Sequence, residues 1–189
     1  MIYELSHLTV EQFDAFAALP ENDDKLFEFV GGEVIEVPSN PYASYISSRV
    51  LRRIANHVEE HDLGFVTGEA GGYMVSGERY APDVGFIHKA KQSQLATEGY
   101  NPLPPDLAVE VDFPSTMQSQ RVLRIKLSNY LAAGVVVWVV LPETREVEVY
   151  APGQPARLLA AKDTLDGGEV LPGFSAPVQE LFPPETPRE

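Results

Sequence analysis

A predicted strand–helix–strand unit in the second half of the chain constrains the fold more than any other segment. Val135–Leu141 (VVVWVVL) is a continuous apolar run rich in β-branched residues, which predicts a strand near the centre of a sheet. Leu107–Val111 has the composition of a second buried strand, and residues 118–133 between them have helical spacing. Gly134 is well placed to end that helix. This order predicts a right-handed parallel crossover.

The remaining sequence predicts two more helices and several short strands. A capping box at Thr9–Gln12 begins the first helix, and apolar residues at every fourth position predict the second from Tyr42 to about His61. The Gly31-Gly32 pair predicts a tight hairpin. The other expected strands are residues 26–30, 33–37, 65–66, 72–76, 81–87 and 146–150.

Length and composition indicate one globular domain. The chain has 189 residues, of which 44% are hydrophobic, and we predict a domain over residues 1–182 with a flexible tail at 183–189. The chain has no cysteine, which excludes disulfides, cysteine–zinc sites and thiol catalysis. The N-terminus lacks the pattern of a signal peptide, and the longest apolar run is too short to cross a bilayer. We therefore expect a cytoplasmic protein without membrane association.

The net charge of −14 argues against a passive nucleic-acid binder, which should present a basic face. The charge is unevenly distributed, however, because residues 63–134 contain 7 acids and 6 bases. A bound metal ion would make that segment locally positive. The acidic composition therefore weakens a nucleic-acid function without excluding it.

Two acids in apolar surroundings are the strongest candidates for chemistry. Asp83 lies in YAPDVGFI and Glu110 in DLAVEVD, where a carboxylate is costly unless something compensates it. Lys126 follows on the next predicted helix. Two carboxylates with a lysine nearby suggest a divalent-metal site for phosphodiester chemistry. Asp83, Glu110 and the backbone carbonyl of Val111 would bind Mg²⁺ or Mn²⁺, while Lys126 would hold the attacking water or stabilise the charged transition state.

Each of these residues also has an ordinary structural interpretation. A Pro-Asp pair such as the one containing Asp83 is common in turns. Glu110 could pair with an arginine, and Lys126 could be a helix-surface lysine beside an apolar face. Their joint occurrence on a strand–helix–strand scaffold nevertheless favours the metal site.

Several segments of the chain follow one another in a distinctive order and spacing: LFEFVGGEVIE at 26–36, RYAPDV at 79–84, DLAVEV at 106–111, Pro114-Ser115, Lys126, Tyr130 and AGVVVWVVLP at 133–142. Together they resemble the PD-(D/E)xK superfamily of restriction-endonuclease-like nucleases, and most closely its bacterial Uma-two family. The resemblance implies an α/β (α+β) fold with a three-layer core, in which helices flank a mixed β-sheet. It also assigns Asp83 and Glu110 to metal binding.

The sequence departs from the superfamily pattern at the lysine. That pattern places a lysine two residues after the glutamate, where this chain has Asp112, so Lys126 inherits the role. Arg121 or Arg124 is an alternative to Lys126. Glu28 resembles an additional acid found near such sites, and Asp112 is a further candidate ligand.

The leading functional hypothesis is a metal-dependent endonuclease acting on DNA. The alternative is a non-catalytic or regulatory interaction protein that retains the nuclease fold, which the charge and the displaced lysine favour. A metal hydrolase acting on a small phosphorylated molecule would fit the acidic composition about as well. An enzyme that cuts both strands needs two sites related by a twofold axis, so we expect a homodimer or a higher even-numbered homo-oligomer.

Overall fold

The computed structural model describes residues 8–37, 40–113 and 116–184. The α-helices in these ranges are α1 (Val10–Ala17), α2 (Pro41–Glu60) and α3 (Met117–Ala132), with short 3₁₀ helices at Pro20–Asn22 and Val178–Leu181. The strands are β1 (Phe27–Val30), β2 (Glu33–Glu36), β3 (Gly64–Gly68), β4 (Tyr73–Val75), β5 (Glu78–Tyr80), β6 (Val84–His88), β7 (Leu107–Val111), β8 (Val136–Leu141), β9 (Glu146–Tyr150), β10 (Arg157–Leu159), β11 (Thr164–Asp166) and β12 (Ser175–Pro177). Most of the predicted tail, together with Pro114-Ser115, lies outside the described residues.

The largest sheet has six strands in the order β10-β9-β8-β7-β6-β3. β7 and β8 are parallel, with Glu110 opposite Val139, whereas the other neighbouring strands of this sheet are antiparallel. The predicted parallel pairing of these two strands is therefore confirmed. β8 lies inside the sheet and its central residues are buried, as expected for a strand covered on both faces.

Helices and a second sheet cover the two faces of this mixed sheet. On one face, Ile46 and Ile54 of α2 pack in a cluster with Trp138 of β8. On the other face, Ala108 of β7 packs in a cluster with Tyr130 of α3 and with residues of the four-stranded sheet β2-β1-β5-β4. Side chains alternate along a strand, so Glu110 points to the same face as Ala108, towards α3. The predicted mixed sheet flanked by helices is present.

The strand predicted over residues 81–87 begins later than expected. Glu78–Tyr80 forms its own strand, β5, which pairs with β1 and β4, and β6 begins only at Val84. Pro82 has no N–H to donate to a sheet, so the chain can leave one sheet here and enter the other. Asp83 therefore lies at the junction between the sheets rather than within a strand. Three further strands, β10, β11 and β12, were not predicted from the sequence and have only three residues each.

Predicted local features of the first half are confirmed. Thr9 and Gln12 form both hydrogen bonds of the capping box. Gly31 and Gly32 connect β1 to β2 with φ values of 61° and 83°, the left-handed conformation that favours glycine. Within the part of the chain that the structure describes, no helix combines the length and apolar character needed to span a bilayer.

Candidate active site

Lys126 lies buried between two acidic side chains. Its Nζ donates hydrogen bonds to Oε1 of Glu28 and Oε2 of Glu110, each at 2.8 Å. Only 5% of Lys126 is exposed, so the interpretation of this residue as a surface lysine is wrong. Glu28 comes from β1, Glu110 from β7 and Lys126 from α3. A distant strand, β1, therefore meets the consecutive elements β7 and α3 at one buried ion-pair cluster.

Two tyrosines surround this cluster. The Tyr130 hydroxyl donates to Oε1 of Glu110 at 3.0 Å, and Tyr130 lies one helical turn after Lys126 on the buried face of α3. Lys126 Nζ lies 5.7 Å from the centre of the Tyr80 ring, within range of a cation–π contact. The rings of Tyr80 and Tyr130 meet edge to face at 5.2 Å. Neither tyrosine was predicted to have a role, although the spacing of Tyr130 from Lys126 is a signal that could have indicated one.

Asp83 approaches the cluster from the sheet junction. Its Oδ2 accepts a hydrogen bond from the Val111 N–H at 2.6 Å. The N–H and C=O of a strand residue point to the same side, so the Val111 carbonyl also lies on the edge of β7 that faces Asp83. Val84 pairs with Val109, and extending that register by one residue places Asp83 beside Glu110. The structure thus brings Asp83, Glu110, Val111 and Lys126 together near the carboxyl end of β7.

Burial and charge shift the protonation of these groups. Burial raises the pKa of Asp83 to about 6, against the lowering effects of the Val111 N–H and of Lys126. Burial also raises the pKa of Glu110, with Lys126 opposing it. Desolvation would lower the pKa of Lys126, but the charges of Glu110 and Glu28 outweigh it and raise that pKa. The site therefore keeps a protonated lysine next to carboxyl groups for which negative charge is costly.

A cleft of about 340 Å³ opens beside the cluster. Its walls include Glu28, Glu110, Asp112 and Lys126, and the first turn of α3 closes one side. Asp112 stands where the superfamily pattern places its lysine, and burial raises the pKa of this acid. A substrate group could therefore reach Glu110 and Lys126 through this opening.

The two arginines considered as substitutes for Lys126 do not reach Glu110. Arg121 is largely exposed and pairs with Glu33 at 3.6 Å. Arg124 is also exposed, and no contact joins either arginine to Glu110 among the residues placed by the structure. Lys126 is thus the cation that meets Glu110 in this fold.

The donor set fits a hard divalent cation. Asp83, Glu110 and the Val111 carbonyl offer oxygen ligands, and one or two carboxylates with waters and a phosphate are enough for Mg²⁺. No group of three Asp, Glu or His side chains within residues 8–37, 40–113 and 116–184 is arranged to hold a metal by itself. Lys126 lies between Glu28 and Glu110 and forms an ion pair with each of them. Glu28 therefore acts here as a partner of the lysine rather than as a metal ligand. A metal here would need ligands from water or substrate as well.

Asp83→Asn is expected to stabilise the metal-free protein near neutral pH. The pKa of Asp83 is raised in the folded state from 3.8 to about 6, so its contribution to stability is full below about pH 4 and is lost as the pH rises through 6. Asparagine can still accept from Val111 but does not ionise, so the free energy of unfolding should exceed that of the parent by up to about 3 kcal/mol at pH 7. Urea unfolding at about pH 4 and about pH 7 measures this. A difference that is the same at both pH values would contradict the prediction.

Comparisons with known proteins identify the family and the fold of the chain. A profile of the Uma2 family, described as "Putative restriction endonuclease", matches residues 10–179, which is most of the chain. No curated protein matches the chain. Among solved structures, the crystal structure of "a putative nuclease belonging to DUF820 from Anabaena variabilis ATCC 29413" matches with a TM-score of 0.76 at 18% identity, covering 92% of this chain and 97% of that chain. The predicted restriction-endonuclease-like fold is confirmed, and the chain belongs to the Uma2 family.

Proposed function

We propose that this protein is a metal-dependent endonuclease that hydrolyses phosphodiester bonds in DNA. Asp83, Glu110 and the Val111 carbonyl hold Mg²⁺ or Mn²⁺, and Lys126 assists the reaction. The observation that supports this is the contact of Lys126 with Glu110 beside an open cleft, with Asp83 hydrogen-bonded to the next residue of the same strand, Val111. The description of the Uma2 family and the name of the Anabaena protein support nuclease activity in general.

Lys126 acts in this proposal as a cation and hydrogen-bond donor. Its raised pKa keeps it protonated, so it does not serve as the base that takes a proton from water. An ammonium group has three N–H donors, and Glu28 and Glu110 accept two of them. The third is left for a phosphate oxygen or for the attacking water at the cleft. A metal ion, when bound, would supply a Lewis acid that activates water and neutralises phosphate charge.

Glu28 and Asp112 have supporting roles in the proposed site. Oε1 of Glu28 accepts from the Ala81 N–H at 2.7 Å as well as from Lys126, so it fixes the lysine relative to the sheet junction that contains Asp83. Asp112 lines the cleft next to Glu110 and Val111. In the proposed site it would hold a metal-bound water or act as a further ligand.

Plasmid cleavage tests the proposal directly. The parent protein should nick or cut supercoiled DNA with Mg²⁺ or Mn²⁺, and a chelator should stop the reaction. Asp83→Ala should be inactive, whereas Asp166→Ala should retain activity because Asp166 pairs with Arg157 on the surface, away from the proposed site. Equal cleavage by the parent and Asp83→Ala would refute the assignment.

A non-catalytic interaction protein is the second candidate. The net charge of −14 favours it, as do the ion pairs through which Lys126 already engages Glu28 and Glu110. This candidate predicts that titration with Mn²⁺ produces no heat of binding. The endonuclease proposal predicts a saturable heat signal that Asp83→Ala weakens.

The proposed enzyme acts in the cytoplasm as a homodimer or a higher even-numbered assembly. Twofold symmetry would place one active site against each strand of a DNA duplex. Sedimentation velocity of the full chain measures the assembly state. A monomer that makes double-strand cuts would contradict this part of the proposal.

A further inference from the structure

The two oxygens of the Glu110 carboxylate each accept a hydrogen bond from a different buried donor. Oε1 accepts from the Tyr130 hydroxyl at 3.0 Å, and Oε2 accepts from Lys126 Nζ at 2.8 Å. Tyr130 is completely buried, with 0% of its surface exposed. Each oxygen of the carboxylate is therefore held by its own hydrogen bond. Rotation of the carboxylate would break at least one of these two contacts.

These two hydrogen bonds affect how Glu110 could bind a cation. Ca²⁺ takes six to eight oxygen ligands and often binds both oxygens of one carboxylate, whereas Mg²⁺ requires an octahedral shell and keeps several waters. Two-oxygen binding would require Glu110 to turn both oxygens towards the ion. The Tyr130 hydroxyl would then lose its acceptor in a buried position, which is costly. Binding through one oxygen leaves the tyrosine contact intact.

We propose that Tyr130 is a positioning residue that restricts Glu110 to one-oxygen coordination and thereby makes the site favour small octahedral cations over Ca²⁺. The inference rests on the proposed function, because it takes Glu110 to be a metal ligand. It adds a role for a residue that touches neither substrate nor metal. Tyr130 acts through the orientation of Glu110.

Tyr80 provides a matched control in the same layer. Its ring packs edge to face on Tyr130, and it too is fully buried. Its hydroxyl, however, donates to Glu78 and accepts from Asn129 at 2.6 Å, with no hydrogen bond to Glu110. Removal of this hydroxyl therefore perturbs packing and a buried polar network without releasing Glu110.

Calorimetric titrations of the full chain with Mn²⁺ and with Ca²⁺ test the inference. We compare the parent, Tyr130→Phe and Tyr80→Phe. In Tyr130→Phe the affinity for Ca²⁺ relative to Mn²⁺ should rise by about tenfold. Glu110 can then rotate without leaving a buried hydroxyl that has no hydrogen-bond acceptor. In Tyr80→Phe the ratio should stay at the parent value. An unchanged ratio in Tyr130→Phe, or an equal change in both variants, would overturn the inference.

The outcomes separate this inference from the function on which it rests. Absence of binding of either ion by the parent would overturn the proposed function and this inference with it. Binding by the parent with an unchanged ratio in Tyr130→Phe would overturn the inference alone. Infrared difference spectra of the parent on Ca²⁺ addition give an independent measurement that does not depend on either tyrosine variant. A Glu110 signal of a two-oxygen carboxylate, identified by its loss in Glu110→Gln, would also count against the inference.

Discussion

Lys126→Met is expected to lower the free energy of unfolding by about 3–5 kcal/mol and nuclease activity by about a hundredfold to a thousandfold. The change removes the ammonium group of Lys126, whose Nζ lies 2.8 Å from a carboxylate oxygen of Glu28 and of Glu110. Both carboxylates then remain buried without a cation. Removal of one partner from a buried ion pair costs more than the pair itself contributes, because the remaining charge stays desolvated. Urea unfolding and plasmid cleavage, each at neutral pH, measure the two effects.

The pH dependence and two further variants show whether charge causes this loss. The destabilisation should shrink at acidic pH, where Glu110, whose pKa is raised by burial, becomes protonated and neutral. Lys126→Met combined with Glu110→Gln should recover part of the stability without recovering activity. Lys162→Met changes an exposed lysine and should alter neither the free energy of unfolding nor the nuclease activity. A loss of stability in Lys126→Met that is the same at pH 4 and pH 7 would point to packing rather than charge.

Glu110→Gln is expected to reduce DNA cleavage by about a thousandfold with little change in structure. A metal ion stabilises transition-state charge by several kcal/mol, and each 1.36 kcal/mol corresponds to a factor of ten in rate. Glutamine has nearly the same shape and can still accept from Tyr130, but its neutral amide is a much poorer ligand for a divalent cation. Cleavage kinetics over a range of Mn²⁺ concentrations should show that more metal does not restore the parental rate.

Asp106→Asn is the matched control for this variant. Asp106 precedes β7 at the end opposite the site and pairs with Lys91 at 3.0 Å. Its replacement should cost some stability but leave the metal dependence of cleavage at the parental value. More than a tenth of the parental rate in Glu110→Gln would exclude Glu110 as an essential ligand.

Local sequence patterns predicted much of the secondary structure. The capping box at Thr9, the Gly31-Gly32 hairpin and the apolar run of β8 all appear where expected. These features depend on interactions between residues close in sequence, or on a continuous apolar run that can be satisfied only inside a sheet. Three-residue strands such as β10 and β12 offer no comparable signal, because they are too short to show a period.

The sheet junction shows where local patterns are insufficient. Residues 81–87 were predicted as one strand, yet the chain changes sheets before Val84. The position of that change depends on which partner strands are available. Here Glu78–Tyr80 pairs with β1 and β4. As a result, Asp83 lies outside the ladder and its carboxylate is free to accept from Val111.

By itself, the sequence determined the candidate acids and their scaffold. A carboxylate among apolar residues stands out because burial makes it costly, which is why Asp83 and Glu110 could be selected without a structure. Only the tertiary structure decided the place of Lys126. On its helix it resembles a surface lysine, and its burial depends on Glu28, which is 98 residues away in the sequence. No local rule can supply that contact, because the compensating charge comes from another sheet.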